Sequence, residues 1–503
     1  MPARDWSELA AAASVRAEQC GGELARLARS AAAEAVWRFL ARGTPSLRPT
    51  RASLIAHLAQ EIGAIDRLLS AQMDALLHHP LLQALEARWR GLLRLVTRAA
   101  EEDDELLKIR LLDASWRDLV RDGERAIEFD QSQLFHKVYS EEFGSPGGEP
   151  FAVLIGDYAI RLRRTKDHPE DDLGALRSIA QVAAAAFAPF IAAAHPSLFE
   201  LDSYRDLERS LDLGQPLRRA ENSAWATLRR LDDARFVGLC LPRILMRQPY
   251  RDDPSRADGW IYREDVSSTD ASGYLWGSAA WAFGEVLLRA FATNGWLAQI
   301  RGVERDQDAG GLVADLPQDW FATERAGLVT KGPLEVRLSA DQERELIELG
   351  FLALSPCHGT GCAAFLGAPS LRQPIQAASG AQQGAPLVVN DKLSSMLHYM
   401  FCVARFAHYV KVLGREKVGT YTQAVEIQAE LQKWLSQYAI SNEAASPELQ
   451  ARYPLREARV EVRELPGRPG IFQTIVHLRP HYQIDQMTTS VKLVTELFAA
   501  REI

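Results

Sequence analysis

Ala458-Arg459-Val460-Glu461-Val462-Arg463 alternates apolar and charged residues with a period of two, the mark of a half-buried β-strand. Two more strand-like runs follow. Residues 471–479 carry Phe472, Thr474, Val476 and Leu478 on one face, and residues 487–497 carry Met487, Thr489, Val491, Leu493 and Thr495 on one face. Pro466-Gly467 and Pro469-Gly470 punctuate the first gap, and Pro480 stops the second run. A chain that finishes on consecutive strands must cover its last edge or offer it to a neighbour. These strands are therefore expected to pair with other chains rather than to wall an active site.

Outward from that block, helices are expected over residues 391–414 and 422–438. Before them, the Ala, Ser, Gly and Gln stretch 377–385 is the best internal linker. The middle of the chain reads as mixed α and β, with strands over 151–160 and 235–241 and helices over 173–187 and 276–293. Leu106-Leu107-Lys108-Ile109-Arg110-Leu111-Leu112 reads as a buried strand. Pro80 precedes a helix carrying Leu85, Trp89, Leu92, Leu93 and Val96. A further helix over 53–77 has an apolar seam at Leu58, Ile62, Ile65, Leu69, Met73 and Leu76, spaced by threes and fours. Such a seam packs either on the chain's own core or on a partner helix. Residues 1–42 read as helical up to the breaker Gly43-Thr44-Pro45. No repeat of 20 to 50 residues is visible, which argues against a solenoid.

At 503 residues the chain exceeds one hydrophobic core, so two or three domains are expected. A composition of 47% hydrophobic and 25% charged residues is that of an ordered soluble protein. The net charge of −8 argues against generic binding to nucleic acid or to an anionic membrane. Five cysteines, mostly in apolar surroundings, suit buried thiols in a reducing cytoplasm. No signal peptide opens the chain. The most apolar long run, 396–413, contains His398, Arg405, His408 and Lys411 and makes a poor membrane span. A cytoplasmic location is expected.

Candidate chemistry is weak throughout. Gly144-Ser145-Pro146-Gly147-Gly148-Glu149-Pro150 lacks the Lys-Ser or Lys-Thr pair of a phosphate loop, so a tight structural turn is expected. Cys357-His358 with Cys362 has no second pair to complete a zinc site, and His398 and His408 fall on different faces of one helix. Asp157, after Gly156 at a strand end, reads as a cap or a buried salt bridge. Asp130 in Phe129-Asp130-Gln131-Ser132 reads as a helix N-cap. No Gly-x-Ser-x-Gly elbow is present. No catalytic constellation, cofactor site or metal site is expected.

Eight blocks in order carry a family resemblance. Glu86-Ala87-Arg88-Trp89-Arg90-Gly91-Leu92 is the first. The longest is Phe129-Asp130-Gln131-Ser132, with Leu134-Phe135, running through Glu142-Phe143-Gly144-Ser145 and Pro146-Gly147-Gly148-Glu149-Pro150 to Gly156-Asp157-Tyr158. Ala188-Pro189-Phe190-Ile191, Ala234-Arg235-Phe236-Val237 through Leu241-Pro242-Arg243, and Tyr274-Leu275-Trp276-Gly277 follow. Ile300-Arg301-Gly302-Val303, Arg405-Phe406-Ala407-His408-Tyr409 and Leu478-Arg479-Pro480-His481-Tyr482 complete the set. Together they resemble the large subunit of the type VI secretion contractile sheath, the TssC/VipB family.

The resemblance implies a mixed α/β (α+β) fold. Residues 1–79 would be a helical region pairing with the small subunit TssB, 80–376 the sheath body, and 377–503 a tail-sheath-like domain with intersubunit strands. It assigns the Leu58 to Leu76 seam to TssB and the terminal strands to neighbouring heterodimers. It also implies polymerisation around the Hcp tube, a trigger at the baseplate, and recycling by the ClpV ATPase chiefly through TssB, with no nucleotide hydrolysed by this subunit. Arg456, Arg459, Glu461 and Arg463, with Glu457, are candidates for docking the tube, and a solvated strand face is the alternative. A diverged paralogue or scaffold that binds TssB without contracting is the nearer rival function. An enzyme is the more distant one.

Overall fold

The computed structural model describes residues 51–497 apart from 146, 209–211, 253–254, 256–259, 267–270, 304–307, 323–327, 358–359, 376–390, 418–423, 443–445, 465–471 and 482–490. The expected helix over 1–42, the linker 377–385, His358, Met487 and Thr489 lie outside the described residues. The chain divides into two compact units. One holds helix α1 with the segment Pro249–Gly273, and the other holds Gln83–Gln248 with Tyr274–Ile503.

The principal helices are α1 (Arg51–Leu77), α2 (Pro80–Glu102), α3 (Trp116–Arg125), α4 (Asp172–Ala186), α5 (Ala279–Asn294), α6 (Leu397–Lys417) and α7 (Ala424–Ser436). The larger unit is built on a six-stranded sheet. Its strands are β1 (Leu154–Ile160), β2 (Phe190–Ala194), β3 (Val237–Leu241), β4 (Leu312–Val313), β5 (Phe351–Pro356) and β6 (Ala363–Phe365), in the spatial order β1-β2-β3-β5-β6-β4. The first four in that order are parallel, and β6 and β4 add antiparallel.

Parallel strands need crossovers, so both faces of this sheet carry helices and its strands are continuously apolar. Every residue of β2 and β3 is buried. Side chains alternate between two cores. Phe190, Ala192, Leu239 and Phe351 face α4 through Leu176, Ile179 and Ala183, whereas Ile191, Cys240 and Leu352 face α5 through Phe283 and Val286. Asp171 starts α4 by accepting the Gly174 N–H, and Ser278 starts α5 by accepting the Ala280 N–H. α5 ends at Gly295 with φ of 73°, where a side chain would be strained.

The chain then closes with an antiparallel sheet of β7 (Leu455–Glu464), β8 (Phe472–Pro480) and β9 (Val491–Leu497), with β8 in the centre. α6 and α7 cover its inner face in one core of Cys402, Phe406, Val410, Leu431, Leu435, Val460 and Val476. Trp296 stacks on Phe406 at 4.3 Å within that core.

Two expectations are corrected. Leu106-Leu107-Lys108-Ile109-Arg110-Leu111-Leu112 is neither strand nor buried. It runs without regular structure, and Leu106, Leu111 and Leu112 are exposed. The apolar pattern is that of a strand, but among the described residues no strand pairs with it. Asp130 is not an N-cap either. Phe129–Gln131 is a short 3-10 turn, and Ser132 caps the next helical turn by accepting the Phe135 N–H at 3.1 Å.

Candidate assembly interfaces

α1 is a 27-residue helix without proline, ended where Pro80 forbids continuation. Its seam faces solvent on this chain. Ile62 is 56% exposed, Ile65 54% and Leu76 60%, Leu69 is also exposed, and Met73 is half-buried. Leu58 lies on the same helix, its side chain outside the described residues. The other side of the helix end is tied down within its unit, where Asp74 accepts the Tyr262 hydroxyl at 2.7 Å. Branched apolar side chains thus stand in water at helical spacing along this face.

The terminal sheet has two edges of opposite character. Along β7 the outer edge is taken. The Gln432 side chain on α7 accepts the Val460 N–H at 2.9 Å and donates to the Ala458 carbonyl at 2.9 Å. Gln428 accepts the Val462 N–H at 3.1 Å, and the Ile440 N–H donates to the Leu455 carbonyl at 2.8 Å. Two glutamines one helical turn apart thus stand in for a neighbouring strand. β8 is paired on both sides, with Val476 opposite Val460 on β7 and Leu493 on β9. Among the described residues, no strand pairs with the outer edge of β9.

The strand residues singled out from the sequence divide accordingly. Thr474, Val476 and Leu478 point into the chain's own core, with Phe472 packed at its margin. Val491 and Leu493 sit opposite Leu478 and Val476. These β8 side chains hold the sheet to α6 and α7.

The charged face of β7 pairs partly with itself and partly with β8. Glu461 lies 3.5 Å from Arg459 and 3.1 Å from Arg463, which the i, i+2 spacing on one strand face brings together. Glu457 lies 3.5 Å from Arg479, its cross-strand neighbour on β8.

The remaining candidates have structural roles. Asp157 accepts from Trp281 Nε1 at 3.0 Å and Arg88 Nε at 3.1 Å, and burial raises its carboxyl above the usual range against those two partners. Glu86 gathers Arg90 and Arg247, each at 2.8 Å. Gly91 lets α2 approach α5, since a Cβ there would lie 2.5 Å from the Trp281 ring. The glycine-rich loop is a turn closed by the Gly148 N–H on the Ser145 carbonyl, with Gly147 at φ of 81°. The Glu149 N–H donates to Glu142 at 2.7 Å, placing a carboxylate where a phosphate would sit. Cys357 and Cys362 face each other across the β5–β6 hairpin, the Cys357 N–H donating to the Cys362 carbonyl. His408 is buried with Nε2 2.8 Å from the Ala186 carbonyl, and burial beside Arg405 and Lys411 pushes its pKa down to about 3.

No helix among the described residues is long and apolar enough to cross a membrane. Sequence reading missed the glutamine plug on β7. Its only signal was Gln428 and Gln432 four apart on a helix next to a strand, which is too common to single out.

The sheet-based body is followed by a small, separately cored sheet, and family comparison places the chain among tail-sheath subunits. Residues 59–372 match the VipB model described as "EvpB/VC_A0108, tail sheath N-terminal domain", and residues 388–497 match its companion, "tail sheath gpW/gp25-like domain". The chain belongs to the VipB/EvpB family, the large subunits of type VI secretion sheaths. A curated relative is the type VI secretion system sheath protein TssC1 of Pseudomonas aeruginosa, 36% identical over 444 residues, covering 88% of this chain and 86% of the relative. A chain of the six-fold symmetrised cryo-EM baseplate of the anti-feeding prophage aligns over 80% of this chain and 81% of its own, with a TM-score of 0.34 and 10% identity, too loose a likeness to argue from.

Proposed function

We propose that this chain is the structural large subunit of a type VI secretion contractile sheath, working in the cytoplasm. With TssB it forms heterodimers that polymerise around the Hcp tube in an extended state. A trigger at the baseplate releases that state, the sheath shortens, and tube and effectors are driven into the target cell. ClpV then recycles the subunits, mainly through TssB. The stored energy lies in metastable packing, so the role requires no reaction chemistry from this chain. In this scheme residues 1–79 serve TssB, 80–376 form the body, and 377–503 make the links between heterodimers.

What supports the reading is an exposed α1 seam together with a terminal sheet plugged along β7 and, among the described residues, without a strand beside β9. Strand addition at β9 supplies main-chain hydrogen bonds, and alternate side chains set the register. Four or five such bonds contribute on the order of 5 kcal/mol per link at about 1 kcal/mol each. A one-sided contact of this kind is heterologous, and one that does not close into a ring grows a helical filament. The plug on β7 gives the addition its direction.

Electron microscopy of this chain co-expressed with its TssB tests the proposal. Tubes with cogwheel cross-sections are expected. Stable heterodimers that never form tubes would favour the diverged paralogue or scaffold instead.

A further inference from the structure

We propose that Cys357 and Cys362 form a reversible redox site, a thiol pair that hydrogen peroxide closes into a disulfide across the β5–β6 hairpin. This site goes beyond the sheath role and does not depend on it.

The strand register sets the pair. Leu354 stands opposite Phe365, Ser355 opposite Ala364 and Pro356 opposite Ala363, so the next position outward places Cys357 opposite Cys362. The Cys357 N–H donates to the Cys362 carbonyl at 2.9 Å, which carries the ladder one step further. Thr360 closes the end. Its hydroxyl donates to the Cys357 carbonyl at 3.4 Å and accepts the Cys362 N–H at 3.2 Å. Directly opposed residues of an antiparallel pair send their side chains to the same face. A hydrogen-bonded pair has its Cα atoms about 5.5 Å apart, and a disulfide spans Cα separations of about 4.4–6.8 Å. A bond between the two sulfurs therefore needs no movement of either strand.

Access separates this pair from the other described cysteines. Cys240 in β3 and Cys402 in α6 are buried, whereas Cys357 and Cys362 are half-buried at the end of the hairpin. Burial raises the Cys357 thiol, and so does the charge of the Cys362 sulfur beside it. With Cys362 ionised, Cys357 thus stays a thiol, and Cys362 attacks first.

The Cys362 thiolate attacks one oxygen of the peroxide, the O–O bond breaks and hydroxide leaves, which makes Cys362 a sulfenic acid. The Cys357 sulfur then attacks the Cys362 sulfur. The S–O bond breaks, and the departing hydroxyl takes the Cys357 proton and leaves as water. The first hydroxide recovers the proton that Cys362 gave up. Two thiols have lost two electrons, and one peroxide has become two waters. A small thiol reverses the bond by exchange. The bridge ties down the least secured part of the main sheet. β6 is three residues long and β4 two, and Gly361, next to Cys362, accepts the Leu316 N–H at 3.0 Å.

The test treats the full chain, co-expressed with TssB, with hydrogen peroxide, then alkylates it and maps its peptides without reductant. The peptide holding both cysteines is expected to lose two hydrogens and resist alkylation, and dithiothreitol is expected to restore both thiols. Cys240 and Cys402 are expected to remain thiols. In Cys362→Ser, oxidation of Cys357 should slow by about tenfold or more, because the first attacking sulfur is gone. In Cys357→Ser, Cys362 should run on to a sulfinic acid that dithiothreitol does not reverse. Phenylarsine oxide, whose arsenic needs two thiols within reach, reads the parent chain without any substitution. One equivalent is expected to block both cysteines. A peptide that gains oxygen or stays unchanged, a bridge between two chains, or cysteines that the arsenical leaves free to alkylate overturns the proposal.

Discussion

α5 and α1 are both rich in apolar side chains, and their fates differ. Ten of the sixteen residues of α5 are buried, from Ala279 to Ala290, under the main sheet and its neighbours. α1 carries Ile62, Ile65, Leu68, Leu69 and Leu76 in water. Composition does not separate the two helices. What differs is that α5 lies on strands of its own chain, whereas among the described residues no strand covers the seam of α1. The same contrast recurs in the sheets. β2 and β3 are buried and paired on both edges, whereas among the described residues the outer edge of β9 has no paired strand. Among the described residues, a well-covered main-sheet interior thus stands beside exposed apolar side chains on α1.

Two variants break that comparison outright. Removing residues after Gln486 deletes β9 and leaves β8 as the open edge of a smaller sheet. Soluble heterodimers without tubes are the expected product, scored by electron microscopy; intact sheaths would show that β9 is not the link. Ile62→Asp with Ile65→Asp puts two carboxylates on the seam. Burial of each isoleucine is worth about 1.5–3 kcal/mol, so co-purification with TssB should fall by roughly two to four orders of magnitude in affinity. Unchanged pairing would return the seam to the chain's own packing.

A smaller effect sharpens the contrast between the two sheet edges. Gln432→Leu keeps the bulk on α7 but strands the Val460 N–H and the Ala458 carbonyl. We expect a loss of about 1–3 kcal/mol in stability, read by denaturant unfolding of the heterodimer. With the plug open, aggregation through β7 is expected to rise as well. A variant as stable and as disperse as the parent would show that the edge needs no guard.

The finished interior was the more legible part of the sequence. The strand expected at 151–160 begins at Leu154, and the helices expected at 173–187 and 276–293 appear as Asp172–Ala186 and Ala279–Asn294. These elements satisfy their pattern inside the chain, so local periodicity and tertiary structure agree. Residues 106–112 were misread as buried because their pattern is that of a strand, and pattern alone does not say where the partner is. Asp130 was misplaced by one short turn, since Ser132 two residues on offers an equal cap. The β7 plug was invisible, because it joins residues nearly thirty apart through side chains that polar surfaces also carry. The alternation in 458–463 was read correctly as a strand but left its outer face ambiguous, because paired and unpaired charges look alike in a sequence.

Acid probes the interior rather than the surfaces. His408 has its pKa depressed to about 3 and His195 to about 4, in both cases chiefly by burial. At pH 7 each is neutral folded and unfolded, so neither affects stability there. Below their ordinary value of 6.5 the unfolded chain takes protons that the folded one refuses. Stability therefore falls as pH drops from 6.5 towards 3–4, by up to about 1.4 kcal/mol per pH unit from His408. A melting temperature that declines from pH 6.5 to 4.5, with a shallower slope in His408→Phe, is the expected result. A flat profile would mean that the protonated ring finds solvent or a partner without unfolding.

The smallest effect concerns the outer face of β7, where Glu461 sits between Arg459 and Arg463. Both arginines are largely in solvent, so each pair is worth at most about 1 kcal/mol and is screened by salt. Glu461→Gln should therefore leave heterodimer stability within about 1 kcal/mol of the parent, and sheath formation unchanged. The substitution also releases the two guanidinium groups of Arg459 and Arg463 on one strand face. If that face only meets water, loading of the Hcp tube is indifferent to the change, which is the expected outcome. Tube loading that shifts with Glu461→Gln, and shifts more at low salt than at high, would instead give this face an electrostatic contact with the tube. The two readings differ in one measurement, sheath assembly around purified Hcp at two ionic strengths. Stability serves as the control that the strand itself is intact.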